Sequence, residues 1–185
     1  MVPAPFRVVL DANVLFPFSV RDTLLRAAAA GMFQVHWSEE ILEEATRNLI
    51  RTGRMNDDQS AHLMAAMRNA FPEAVVAGYE DLVAAMPNHV KDRHVVAVAV
   101  KVGAQVIVTS NLRDFKALPT GIEAQSPDDF LLDLLDLAQE EVLALLDRQA
   151  AALKRPPITL DELLAGLAKN VPRFAAAVRE LRDDS

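Results

Sequence analysis

Apolar positions along this chain follow two rhythms. Short apolar runs at 6–10, 33–37 and 106–108 have the length of strands, and the first and third read as buried on both faces. Residues 73–76 read as a further strand and 121–124 as a weak edge strand. Between these runs lie segments of helical period. One covers 20–31 and ends near Gly31. Another covers 38–52, with Ser38 as its N-cap and Gly53 as its stop. Residues 57–70 form a third, ended by Pro72, and 79–85 a short fourth. Residues 92–102 are apolar nearly all round, which predicts a deeply buried helix closed by Gly103. A short helix at 111–118 ends at Pro119. Ser126-Pro127 has the N-cap and N1 pattern of a long helix from about 127 to 151. Lys154-Arg155-Pro156-Pro157 breaks that pattern. Thr159-Leu160-Asp161-Glu162 then restarts it with a capping box, and Pro172 separates two last short helices.

Strands alternating with helices predict a parallel sheet inside a three-layer α/β/α domain. The chain divides into residues 1–130, which carry the candidate chemistry, and 131–185, a helical C-terminal extension. Its 185 residues suit one domain plus an appendage, and the 51% hydrophobic content is enough for a sizeable core. Aromatics make up only 5%, which argues against an aromatic platform for stacking bases. With no cysteine there are no disulfides, thiolate metal sites or cysteine nucleophile, which suits a reducing cytoplasm. The N-terminal residues lack a basic leader and apolar run, and no apolar stretch is long enough to span a bilayer. Net charge is −7, and neither part of the chain is basic. Binding to nucleic acid would therefore need a local basic rim or a bound cation.

The candidate chemistry lies at strand ends and helix starts. Asp11 and Asn13 stand where the first strand stops, at the carboxyl edge of a parallel sheet, where ligands bind. A nucleophilic-aspartate mechanism would want a second Asp at position 13, which is Asn. Helix 38–52 offers Glu39, Glu40, Glu43 and Glu44. Glu44 lies closest to the apolar stripe Ile41, Leu42, Ala45 and Leu49, and the others point toward water. Asp92 shares a helical face with Val95, Val96 and Ala99, so it needs a partner. Asn111 and Asp114 form an i, i+3 pair just after the strand 106–108. Each residue alone is an ordinary cap or first-turn acid. Together they suggest a site for a hard divalent cation and phosphoryl chemistry. There is no GxGxxG, P-loop, HExxH or GxSxG motif, and His36, His62, His89 and His94 lack zinc spacing.

Four segments in order resemble the PIN domain: Val9-Leu10-Asp11-Ala12-Asn13-Val14-Leu15, Ser38-Glu39-Glu40-Ile41-Leu42-Glu43-Glu44, Lys91-Asp92-Arg93-His94-Val95-Val96 and Ile107-Val108-Thr109-Ser110-Asn111-Leu112-Arg113-Asp114. The resemblance covers roughly residues 1–130, and within the family it is nearest to VapC-like toxins with a helical extension. It implies a Mg²⁺- or Mn²⁺-dependent ribonuclease of a toxin–antitoxin pair, a homodimer bound and blocked by its antitoxin. Its catalytic, metal-holding acids would be Asp11, Glu44, Asp92 and Asp114. Glu43 stays open as the alternative to Glu44. Asn111 stands where many members have an acid, and Asn13 and Thr109 match polar positions beside the metal. The RNA backbone would lean on cations drawn from Arg21, Arg47, Arg51, Arg93, Arg113 and Lys116. Phe16, Phe18 and Phe33 are candidates for an antitoxin groove. A PIN-like module that binds RNA or protein without cutting is the alternative.

Overall fold

A computed structural model describes residues 6–154 and 156–183. The leader reading at residues 1–5, Arg155 of the break, and residues 184–185 lie outside the described residues. Four strands, β1 (Arg7–Leu10), β2 (Gln34–His36), β3 (Val106–Val108) and β4 (Glu123–Gln125), pair in the order β2-β1-β3-β4. All pairs are parallel. The central strands β1 and β3 are apolar on both sides, so both faces of the sheet must be covered. Val8, Val9, Leu10, Ile107 and Val108 are each 0% exposed.

Helices supply the cover. They are α1 (Ala12–Leu15), α2 (Phe18–Ala29), α3 (Glu39–Arg51), α4 (Asp57–Ala70) and α5 (Arg93–Val102). Next come α6 (Pro127–Leu137), α7 (Gln139–Ala152), α8 (Leu160–Leu167) and α9 (Pro172–Asp183). Helix α5 packs on β1 and β3, while α2 packs on β2 and α6 on β4. The all-round apolar reading of α5 is met: Val95, Val96, Ala97, Val98 and Ala99 are all fully buried. Burying one such valine contributes about 1.5–3 kcal/mol. An α/β/α layering with C-terminal helices is therefore the fold.

The expected caps are present. The Ser38 hydroxyl accepts the Ile41 N–H at 3.2 Å, and Ser126 accepts the Asp129 N–H at 3.1 Å. Thr159 and Glu162 close the capping box. The single helix expected over 127–151 is instead two, broken at Ala138 (φ −148°, ψ 58°). No Gly or Pro causes this. The two halves have different partners, α6 against α9 and β4, and α7 against α2 and α8. Residues 73–76 form one parallel bridge, Trp37 to Val75, rather than a strand. The short helices expected at 79–85 and 111–118 are 3₁₀ turns, Glu80–Ala85 and Leu112–Phe115. Phe33 is not available to a groove. It is 2% exposed and packs edge-on to Phe130 at 5.1 Å, joining β2 to α6. A continuous apolar cluster runs from the sheet through α6 to Leu164, Phe174 and Val178 of the extension.

Candidate functional site

The site begins where β1 ends. Asp11 leaves the strand and caps α1, its Oδ1 accepting the Ala12 N–H at 2.7 Å. Its Oδ2 accepts from the Thr109 hydroxyl at 2.7 Å and the Asn13 amide at 2.6 Å. Thr109 follows β3, whose Val108 sits beside Leu10 in the sheet register. The Thr109 oxygen also accepts from the Asn13 amide (3.0 Å) and the Asn111 N–H (3.1 Å). Asn13 Oδ1 accepts the Ser110 N–H at 2.8 Å. Two adjacent strand ends thus fix one carboxylate. Asp11 is 4% exposed. Burial raises its carboxyl to about 6, with the Asp92 and Glu44 charges adding and the Thr109 hydrogen bond opposing.

Asp92 closes the turn Val90–Asp92 and opens α5, yet its side chain caps nothing. The ordinary explanation of an Asp at a helix start therefore fails here. Its Oδ2 is buried without a hydrogen-bond partner. Burial raises this carboxyl too, the Asp114 and Glu44 charges add to the rise, and His94 opposes it. Asp114 stands in the 3₁₀ turn Leu112–Phe115 and accepts the Asn111 amide at 2.7 Å. Ligand atoms of His89, Asp92 and Asp114 all lie within 4.8 Å of one another. His89 was not singled out from the sequence. A lone His before Val90 carries no pattern, and it reaches the acids because its N–H bonds the Asp114 carbonyl at 3.2 Å.

Helix α3 adds Glu44 from the side. His94, 7% exposed, lies with Nε2 3.8 Å from Glu44 and Nδ1 3.7 Å from Glu40. Glu40 also accepts the Tyr79 hydroxyl at 3.1 Å, while its side chain stays exposed, as its helical position suggests. Glu39 pairs with Arg68 of α4 (2.9 Å from Nε), and Glu43 is exposed. The four acids Asp11, Glu44, Asp92 and Asp114 therefore share one electrostatic neighbourhood. Of the cations, Arg93 donates to the Asn88 carbonyl at 3.2 Å. Arg113 and Lys116 line a cavity of about 640 Å³ with His89 and Asp114. Arg21 is removed from the RNA-facing set, being 4% exposed with Nη1 bonded to the Leu15 carbonyl at 2.6 Å.

Among the described residues, no Lys or Arg forms an ion pair with any of these four acids. Two carboxyls are raised and one buried oxygen is unpartnered, so the negative charge of the cluster is offset only in part, by His94. A divalent cation with oxygen ligands fits that deficit. No helix among the described residues is long and apolar enough to cross a membrane.

Comparison with known proteins agrees with this architecture. Residues 7–113 match the family model described as the PIN domain, and 127–180 match the VapC50 C-terminal domain. The chain is also similar to a Mycobacterium tuberculosis (strain ATCC 25618 / H37Rv) protein named "Putative ribonuclease VapC50". Identity is 50% over 116 residues, covering 61% of this chain and 69% of that protein. No solved structure matches the chain.

Proposed function

This chain belongs to the PIN-domain family, and we propose that it is a metal-dependent endoribonuclease. In this reading it hydrolyses RNA phosphodiester bonds in the cytoplasm as the toxin of a toxin–antitoxin pair, and residues 1–130 form the nuclease domain. One observation carries the reading. Among the described residues, Asp11 after β1, Glu44 of α3, Asp92 before α5 and Asp114 after β3 act on one another electrostatically with no Lys or Arg paired to them, and one Asp92 oxygen is buried and unpartnered. The name of the M. tuberculosis relative supports the same activity.

Asp11, Glu44, Asp92 and Asp114 would hold Mg²⁺ or Mn²⁺. Such an ion, when bound, lowers the pKa of a water and offsets charge on the phosphate. The protein's own work is positioning. Thr109 and Asn13 hold Asp11 in one orientation, and Asn111 holds Asp114. No Lys or Arg among the described residues pairs with these acids, which leaves their charge available to a cation. Arg113 and Arg93 would hold the RNA backbone. A cognate antitoxin and a second copy of the chain are the expected partners. The alternative, an RNA- or protein-binding module that does not cut, is favoured by Asn111, whose amide nitrogen faces Asp114 where a further acid would add a ligand.

The test is cleavage of total cellular RNA by the purified protein with Mn²⁺, Mg²⁺ or EDTA, beside the Asp92→Asn variant. Discrete fragments that vanish with EDTA and with the variant are expected. Intact RNA under every condition moves the reading to the binding module.

A further inference from the structure

We infer that the cleft between the turn after α1 and the end of α8 is a binding subsite for single-stranded RNA, placed to hold nucleotides flanking the acid cluster. The inference rests on the RNA-cleaving reading and gives the C-terminal extension a part in it. The cleft has a volume of about 460 Å³ and is lined by Phe16, Phe18, Arg54, Gly166, Lys169 and Asn170, together with Pro17 and Ser19. One wall of it is joined to Asp11 through α1. Asp11 is the N-cap of α1 and Phe16 its C-cap, five residues on, about 7.5 Å along the helix. Arg54 lies beyond the C-terminal end of α3, ten residues after Glu44, so the cleft sits along the chain from the acids and not among them.

Three features point to RNA. The first is charge. Arg54 and Lys169 line the cleft with no carboxylate, in a chain of net charge −7. Four other cavities each include an acid: Glu73, Glu140 with Glu141, Asp114, or Glu123. The second is aromatic surface. Phe18 is 53% exposed, although burial is the ordinary fate of a phenylalanine. The Arg54 guanidinium lies 4.5 Å from the Phe16 ring centroid, so one edge of the cleft offers a cation and a π-face together. Cations tracking phosphates beside rings that stack bases are the chemistry of single-strand binding. The third is preorganisation. Buried Arg21 bonds the Leu15 carbonyl at 2.6 Å, its own N–H bonds the Pro17 carbonyl at 2.9 Å, and its guanidinium lies 5.7 Å from the Phe18 ring. The aromatic turn is thus held in place before any ligand arrives. Low aromatic content argued against a stacking platform for the whole chain, but two rings suffice locally.

The test measures binding, not cleavage. A fluorescein-labelled mixed-sequence RNA of about 12 nucleotides, within the footprint of single-strand binders, is titrated with Asp92→Asn protein in Mg²⁺. Arg54→Ala with Lys169→Ala should weaken binding by about tenfold or more. It should also lower the slope of log affinity against log salt by about 1.4, the value for two lost phosphate contacts. Phe18→Ala should weaken it by at least about fivefold. Gly166→Glu adds a carboxylate where a Cβ meets nothing within 4 Å, so it should repel RNA without disturbing the fold. Arg179→Ala, an exposed cation on α9, should change affinity by less than about twofold.

Pocket variants with unchanged melting temperature, affinity and salt slope overturn the subsite while RNA binding by the parent stands. An equal loss for Arg179→Ala also overturns it, because bulk charge then explains the effect. Unchanged RNA affinity with lost self-association overturns it in favour of an interface between copies. A parent that binds no RNA overturns both the subsite and the RNA reading.

Discussion

Asp11 and Asp128 are both buried carboxylates, 4% and 8% exposed, and both receive backbone N–H groups at a helix start. Their surroundings differ. Asp128, in the first turn of α6, reaches across to α9. It accepts the Phe174 N–H at 2.8 Å and the Arg173 N–H at 3.2 Å, and pairs with the Arg173 guanidinium at 3.3 Å. Every partner is a donor and one carries a positive charge. Asp11 receives only neutral donors and faces Asp92 and Glu44. Asp128 is therefore satisfied by the fold itself, and it holds the extension to the domain. Asp11 receives no positive charge from the fold, and its own charge is left to be offset by a proton or a bound cation. Burial is common to both acids; the charges around them are what differ.

The comparison is broken most directly at the acid cluster. Asp92→Asn should reduce RNA cleavage about 10²- to 10³-fold without lowering the melting temperature, and full activity in this variant would remove the functional side of the contrast. The next effect is in pH. A carboxyl raised from 3.8 to about 6 in the folded state is fully stabilising below 3.8, and that stabilisation is lost as pH rises to about 6. In metal-free protein, the stability of the wild type relative to Asp11→Asn should therefore fall by about 3 kcal/mol across that window. Urea titrations of both proteins from pH 3.5 to 7 measure it, and a flat difference would mean that Asp11 is not destabilised by its neighbours.

Asp128→Ala tests the other side. Losing its contacts to α9 should cost about 2 kcal/mol of stability, read as a lower urea midpoint, while cleavage per folded molecule stays unchanged. A parallel fall in specific activity would show that the clasp also shapes the site. The smallest effect belongs to Arg68→Ala. It breaks the half-exposed pair with Glu39 and should change stability by less than about 1 kcal/mol, with no change in cleavage. A large loss of activity there would place Glu39 among the working acids.

Much of this was readable from local sequence. Ser38, Ser126 and Thr159 sit before apolar periods and do cap helices, because capping depends on a few adjacent residues. The alternation of buried runs with helices carried the layer order for the same reason. Asp11 and the Asn111–Asp114 pair were placed by strand ends sharing one sheet edge, and Asp92 by the start of a buried helix. What the sequence withheld was set by tertiary partners. Ala138 breaks a helix because α6 and α7 pack on different neighbours, and nothing in Leu137-Ala138-Gln139 marks that. Phe33 looked available and is core, since Phe130 lies 97 positions away in the chain and packs on it in the fold. His89 and Glu40 enter the site through contacts with Asp114 and Tyr79 that no spacing rule encodes.

The register of β1 against β3 also sets when the site exists. Asp11 and Thr109 are 98 positions apart, and their bond needs both strands paired. Contacts this distant in sequence form late in folding. A chain made at about 5–20 residues per second has Asp11 waiting roughly 5–20 s for its partner to be synthesised. During that interval the carboxylate is an ordinary, solvated side chain. The bond that fixes Asp11 thus becomes possible only after residue 109 has been made.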